Sequence, residues 1–287
     1  MNSSEDPSAD VVNRLDALAS RAETPCGSGT MVWRKWGQGQ PLVFLHGGHG
    51  AWNHWIKNIP YYAARYAVWA PDLPGHGDSA MPEHADSGDG IAEVVATGLR
   101  ELLTDSAPLT VVGFSLGGVL GTHLAAVAPE LVRRLILVDP GGLGTPLGDV
   151  KMTSFRGLSE PGEIAAAHRA NLLAIMLHHP DSVDAQALYL QAANISRCRI
   201  NPRPLVMPDL LLKAIVRSQT PIDAIWGELD GPHPRPDQQR EALAHYRPDL
   251  QFRVVEDAGH WNMYERPHGF HHALDELLAM GAREQSS

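Results

Sequence analysis

Between about residues 30 and 139 the chain alternates between two hydrophobic rhythms. Short apolar runs at 30–36, 42–45, 67–70, 109–112 and 135–138 have the length and composition of strands. Between them, stretches such as 52–64 and 116–127 are long enough for helices and carry apolar residues at helical spacing. This alternation predicts an α/β fold, a mostly parallel sheet with helices on both faces. From about residue 140 to 218 the strand rhythm stops. Stretches 162–178 and 182–196 are helical in character, broken at Pro161, Pro180, Pro202, Pro204 and Pro208. Strands resume near 221–226 and 251–255. The organisation expected is a leader at 1–25, either disordered or helical over 11–21, a core of 26–140 and 219–287, and a helical insertion at 141–218.

Composition narrows this picture. A chain of 287 residues with 44% apolar content supports one large core plus an insertion without a second independent domain. Its formal charge of −10 argues against nucleic acid and anionic membrane as partners. There is no apolar stretch of 18 residues, and the first residues lack the basic and apolar regions of a signal peptide. The only cysteines, Cys26 and Cys198, are far apart in sequence, so the expectation is a soluble cytoplasmic protein with reduced thiols. A homodimer is compatible with all of this.

The chemistry concentrates in Gly113-Phe114-Ser115-Leu116-Gly117, which joins the end of one strand to the start of a helix. A serine on such a sharp turn has its hydroxyl lifted clear of the backbone, and the flanking glycines leave room for it. Ser115 is therefore the candidate nucleophile. Its hydroxyl needs a base, and of 15 histidines His260 is singled out, because the strand at 251–255 delivers it through the small-residue turn Ala258-Gly259. Charge developing on an attacked carbonyl needs backbone N–H donors. Leu116, just after the serine, supplies one. The loop His46-Gly47-Gly48 after an early strand supplies the other, from Gly48, with Gly47 close to substrate and His46 bracing the loop.

In order, His46-Gly47-Gly48, the turn from Asp72 to Ser79, the Ser115 elbow, the turn after Trp226-Gly227 and Gly259-His260-Trp261 resemble the landmarks of the α/β-hydrolase superfamily over nearly the whole chain. That resemblance implies an acid between serine and histidine at the end of a late strand. Asp230 fits the usual acid turn. Its rivals are Glu228, two residues earlier, and Asp139, at the end of the strand after the nucleophile's. The resemblance further implies that 141–218 is a cap over the site and that the turn from Asp72 to Ser79 is structural.

Within the superfamily the chain is similar to meta-cleavage-product hydrolases, which cut carbon–carbon bonds, and to related esterases and lactonases. The carbon–carbon enzymes usually carry asparagine immediately before the nucleophile. Here that residue is Phe114, whose ring has no amide to offer, and this favours an ester, lactone or related acyl bond. Arg197, with Arg199 as its alternative, is the cap candidate for a substrate carboxylate. Trp261, Trp52 and Trp55 are candidates for an apolar pocket wall. A small-molecule acyl substrate is expected, with no cofactor and no metal, since His178-His179 and His271-His272 lack convincing companion ligands. Two other readings share these residues: a non-catalytic ligand binder on a hydrolase fold, and an acyltransferase.

Overall fold

The computed structural model describes residues 6–103, 108–207 and 209–283. The expected break at Pro208 and the first five residues of the leader lie outside them. The strands are β1 (Ser20–Cys26), β2 (Gly29–Trp36), β3 (Pro41–Leu45), β4 (Ala67–Pro71), β5 (Leu109–Phe114), β6 (Val132–Val138), β7 (Ile222–Gly227) and β8 (Phe252–Val255). They form one sheet in the order β1-β2-β4-β3-β5-β6-β7-β8. Only β2 runs against its neighbours; from β4 to β8 the pairing is parallel.

The helices in chain order are α1 (Pro7–Ala17), α2 (Ile59–Ala63), α3 (Gly88–Leu102), α4 (Leu116–Val127), α5 (Pro161–Asn171), α6 (Ala185–Ser196), α7 (Leu210–Ile215), α8 (Pro236–Ala244), α9 (Asn262–Glu265) and α10 (Pro267–Arg283). They cover both faces of the sheet because alternate strand residues point opposite ways. Leu42, Phe44, Val112 and Ile136 pack with Ile59, Tyr62, Leu274 and Leu277, whereas Val43, Leu45, Val111 and Leu135 pack with Val95, Leu99, Val119 and Leu124. Every residue of β5 is buried, which explains why it reads as an unbroken apolar run. Among the described residues no helix is long and apolar enough to cross a membrane.

The leader departs most from expectation. Its helix starts at Pro7, capped by Asp6, whose carboxylate accepts the Ser8 N–H at 2.9 Å, and it ends at Ala17. Residues 20–26, assigned to the leader, are instead the edge strand β1, paired with β2 from Ser20↔Lys35 to Cys26↔Gly29. Only Thr24 and Cys26 of that strand are buried, so its apolar signal is too weak to read. The expected helix over 52–64 is a 3-10 turn (Trp52–Trp55) followed by α2, with a proline in the first turn of α2.

Helices α5, α6 and α7 all lie between β6 and β7, where the helical insertion was expected. Asn194 of α6 donates to the Asn53 side-chain oxygen at 2.8 Å, and Gln186 donates to the Ser8 carbonyl at 3.2 Å. Arg34, buried on β2, joins α1 to the turn after β4 by pairing with Asp16, with Asp72 at 3.0 Å and with Asp78 at 2.6 Å. Asp72 also accepts the N–H groups of Trp52 (3.0 Å) and Asp78 (2.9 Å), which occupies that turn with structural work.

Candidate active site

β5 passes into α4 through Ser115, whose backbone sits at φ 50, ψ −114. A residue with a Cβ is strained there, and strain of this kind persists only where the surroundings enforce it. Here they do: the Ser115 N–H is held by the Val138 carbonyl at 2.8 Å. A side chain on Gly113 would overlap the Gly117 carbonyl, and one on Gly117 would overlap the Leu45 carbonyl. Between residues 109 and 125 Ser115 is the one position that is not buried. The turn thus presents a single hydroxyl-bearing side chain at the C-terminal end of a buried strand.

The loop after β3 lies against this turn. A Cβ on Gly47 would come 3.3 Å from the Ser115 Cβ, and one on Gly48 would come 3.9 Å from the Leu116 Cβ. The Gly47 N–H donates to His54 Nδ1 at 3.3 Å, so it is engaged. Leu116 is the first residue of α4, where an N–H has no partner within its helix. His46 fixes the loop: its Nδ1–H donates to the Gly47 carbonyl at 2.7 Å and its Nε2 accepts the Leu73 N–H at 2.9 Å. Both nitrogens are occupied, consistent with a bracing role.

His46, His54 and His76 are buried neutral imidazoles in this region. Burial pushes His46 down to about 4 and His76 to about 3. Burial also holds His54 well below the ordinary value, reinforced by its histidine neighbours. Because the folded values lie below that of an unfolded histidine, 6.5, the stabilisation is complete above pH 6.5. It is lost as pH falls toward 4 and then 3. Thermal melting followed by circular dichroism should therefore show a midpoint that drops steadily below pH 6.5, and His46→Gln with His76→Gln should flatten that drop.

β7 ends in a turn that carries Asp230, and β8 ends in one that carries His260; the two residues are 0% and 3% exposed. The His260 Nδ1–H donates to Asp230 Oδ2 at 2.9 Å, and the His233 N–H donates to Asp230 Oδ1 at 3.0 Å. Burial alone would raise the Asp230 carboxyl, but the facing His260 and His233 outweigh it and hold the acid far below its ordinary range. The Phe114 ring lies 5.0 Å from that of His260, which brings the imidazole to the Ser115 turn. The histidine turn is itself fixed from the insertion side: Glu265 accepts N–H groups from Gly259 (2.6 Å), His178 (3.1 Å) and His179 (2.8 Å), and the Trp261 N–H donates to the Met176 carbonyl at 2.6 Å.

A buried carboxyl, an imidazole hydrogen-bonded to it, a strained serine and a glycine loop converge at one end of a parallel sheet. Residues 42–273 match the alpha/beta hydrolase family. The chain belongs to that family. It is 29% identical over 265 residues, 85% of this chain and 90% of the relative, to 2-hydroxy-6-oxo-6-phenylhexa-2,4-dienoate hydrolase of Burkholderia cepacia. To the pimeloyl-[acyl-carrier protein] methyl ester esterase of Vibrio parahaemolyticus it is 30% identical over 221 residues, 71% of this chain and 81% of that one. A shorter match, 37% identical over 131 residues, covers 46% of this chain and 33% of the dihydrolipoyllysine-residue acetyltransferase component of the acetoin cleaving system of Pseudomonas putida.

This α/β-hydrolase disposes of several expectations. Arg197 pairs with Asp78 on the exposed surface, and Arg199 donates to the carbonyls of Gly77 and Ser79. Both arginines are engaged by the turn after β4, where Arg197 was expected to meet substrate. Trp261 is 1% exposed, stacks on Tyr264 at 4.2 Å and donates its Nε1–H to the His54 carbonyl at 2.9 Å. It supports His54 from within the core. Trp52 and Trp55 are likewise packed, against Trp36 and Phe44. Among the rival acids, Glu228 is exposed and accepts the Asp257 N–H at 2.9 Å, whereas Asp139 is buried beside Asp230. Sequence reasoning missed His54, His233 and Asn262; the last two stand three residues after Asp230 and two after His260, a spacing too ordinary to signal a role. Among the described residues Asp230, His233 and His260 bring donor atoms within 4.8 Å of one another. A metal there would have to displace the Asp230–His260 hydrogen bond of 2.9 Å.

Proposed function

We propose that this α/β-hydrolase is a serine hydrolase that cleaves a carboxylic ester, lactone or related acyl bond of a small molecule. The observation that carries the reading is the buried Asp230–His260 hydrogen bond of 2.9 Å at the end of the sheet that presents Ser115. Asp230 keeps the proton of His260 on Nδ1, which leaves Nε2 free to accept the Ser115 proton as Oγ attacks the carbonyl carbon. The N–H groups of Gly48 and Leu116 bind the resulting oxyanion. As the intermediate collapses, the imidazolium returns its proton to the leaving alkoxide, and an acyl group stays on Ser115. Water then gives a proton to His260 and attacks the acyl carbon; the second collapse releases the acid and restores the serine.

Two features favour acyl over carbon–carbon cleavage. Phe114 takes the place where the carbon–carbon enzymes resembled here carry an amide, and its buried ring faces His54 and His260 instead. Arg197 and Arg199 are engaged by the turn after β4, and binding a substrate carboxylate would break those contacts. The matched Burkholderia hydrolase keeps the carbon–carbon reading as the alternative. Steady-state kinetics on p-nitrophenyl esters of increasing chain length beside a coloured meta-cleavage dienoate separates them. The expected result is kcat/KM at least about tenfold higher for the best ester, a difference of roughly 1.4 kcal/mol in transition-state binding; the reverse preference would assign carbon–carbon cleavage.

A further inference from the structure

Directly behind the candidate acid lies a second carboxyl group for which the proposed mechanism has no use. Asp139 follows β6, is 0% exposed, and is one of four non-glycine residues among those described with positive φ, at 43°. Its N–H continues the β6–β7 ladder by donating to the Ile225 carbonyl at 3.1 Å. Its Oδ1 accepts the Gly227 N–H at 2.8 Å, and its Oδ2 accepts from the Asn262 side-chain amide. Gly227 is three residues before Asp230, and Asn262 is two residues after His260. One side chain thus holds both turns that carry the acid and the base. The same carboxyl lies beside that of Asp230, itself 0% exposed.

Two carboxylates that touch in a dry interior cannot both be ionised, and no hydrogen bond joins them unless one carries the proton. Asp230 is the ionised member, since it faces His260 at 2.9 Å and accepts the His233 N–H. Asp139 has only neutral amide donors besides Asp230. We propose that Asp139 is a neutral carboxylic acid that donates an O–H···O hydrogen bond to the Asp230 carboxylate, a positioning residue that fixes the acid and moderates its pull on His260. Burial first, and then the adjacent Asp230 charge, hold the Asp139 carboxyl well above its ordinary range, in line with this arrangement. The acid then receives three donors, from His233, His260 and Asp139. A carboxylate so supplied keeps its geometry while its charge is shared, which limits how strongly it favours the imidazolium.

This inference rests on the reading of Ser115, Asp230 and His260 as nucleophile, acid and base. The groups that face the base and its acid are His233, whose ring is 6.0 Å from that of His260, His54 across the Phe114 ring, and Glu265 on the Gly259 N–H. They are unchanged in the variants proposed. The rate of Ser115 labelling by a fluorophosphonate probe, followed against pH, reads the base without a known substrate. In Asp139→Ala the acid limb should move to higher pH by about half a unit or more, because Asp230 loses a donor and its charge bears fully on His260. In Asp139→Asn the amide replaces the O–H donor, and the limb should stay near the wild-type position. A limb displaced to lower pH in both variants would mean that Asp139 carries a charge, and would overturn the proposal; a purely structural role would slow labelling without moving the limb. Infrared spectroscopy of the wild-type protein at neutral pH supplies the second measurement: a carboxylic-acid C=O stretch that disappears in Asp139→Asn is expected, and its absence would overturn the proposal even if Asp139→Ala does not fold. Failure of the wild-type enzyme to label at all would sink the serine reading, while the infrared band would still decide the protonation of Asp139.

Discussion

Ser115→Ala should lower turnover of any ester substrate by about 10⁴-fold or more and abolish fluorophosphonate labelling, while the thermal midpoint stays within a few degrees of wild type. The size follows from the role: without Oγ no acyl-enzyme forms, and the remaining oxyanion donors and binding contacts can only assist direct attack by water. The small effect on stability follows from position. Ser115 is the residue in its buried neighbourhood that reaches the surface, and what holds the turn is its N–H to Val138 together with the side-chain-free Gly113 and Gly117, none of which alanine alters. Positive φ is no worse for alanine than for serine in steric terms, since both carry one Cβ. Kinetics and melting of the same purified variant test both halves. Residual turnover within tenfold of wild type, from a folded variant, would remove Ser115 from the chemistry.

The elbow was legible because its physics is local. Steric exclusion at two glycines, an unbroken buried strand and a helix starting at the next residue all leave marks within fifteen positions, and the structure starts α4 at Leu116 and ends it at Val127, as the pattern indicates. The order of the strands after residue 29 was readable for the same reason. Residues 20–26 were not, because an edge strand that buries only Thr24 and Cys26 writes almost nothing into its hydrophobic pattern. The site beyond the elbow depends on contacts between distant turns. Nothing near Arg197 in the sequence announces Asp78 as its partner, 119 residues away. Nothing near Asp139 announces that it meets Gly227, Asn262 and Asp230. Trp261 shows a related failure: its type suits a pocket wall, yet only the fold reveals that its indole N–H is spent on the His54 carbonyl.

The proposed acid, Asp230, offers the second large effect. Asp230→Asn should reduce kcat by about 10⁴-fold near neutral pH, the size expected when the base is held in the wrong tautomer. In the wild-type protein Asp230 Oδ2 accepts from His260 Nδ1, so the imidazole proton sits on the side away from the serine. An asparagine at 230 can keep the His233 N–H on its carbonyl oxygen, at the place of Oδ1. Its NH₂ then faces His260 Nδ1, which must accept, and the ring proton moves to Nε2, where it blocks acceptance of the serine proton. Geometry is conserved while function is lost, so the variant should fold and still bind substrate, with KM changed far less than kcat. The rival acid gives the control. Glu228→Gln alters an exposed side chain that accepts the Asp257 N–H, and kcat should stay within roughly threefold of wild type, the range of a surface change of a few tenths of a kcal/mol. A large loss in Glu228→Gln with a small one in Asp230→Asn would transfer the role of the acid to Glu228; large losses in Asp230→Asn alone would leave it where the 2.9 Å contact to His260 puts it.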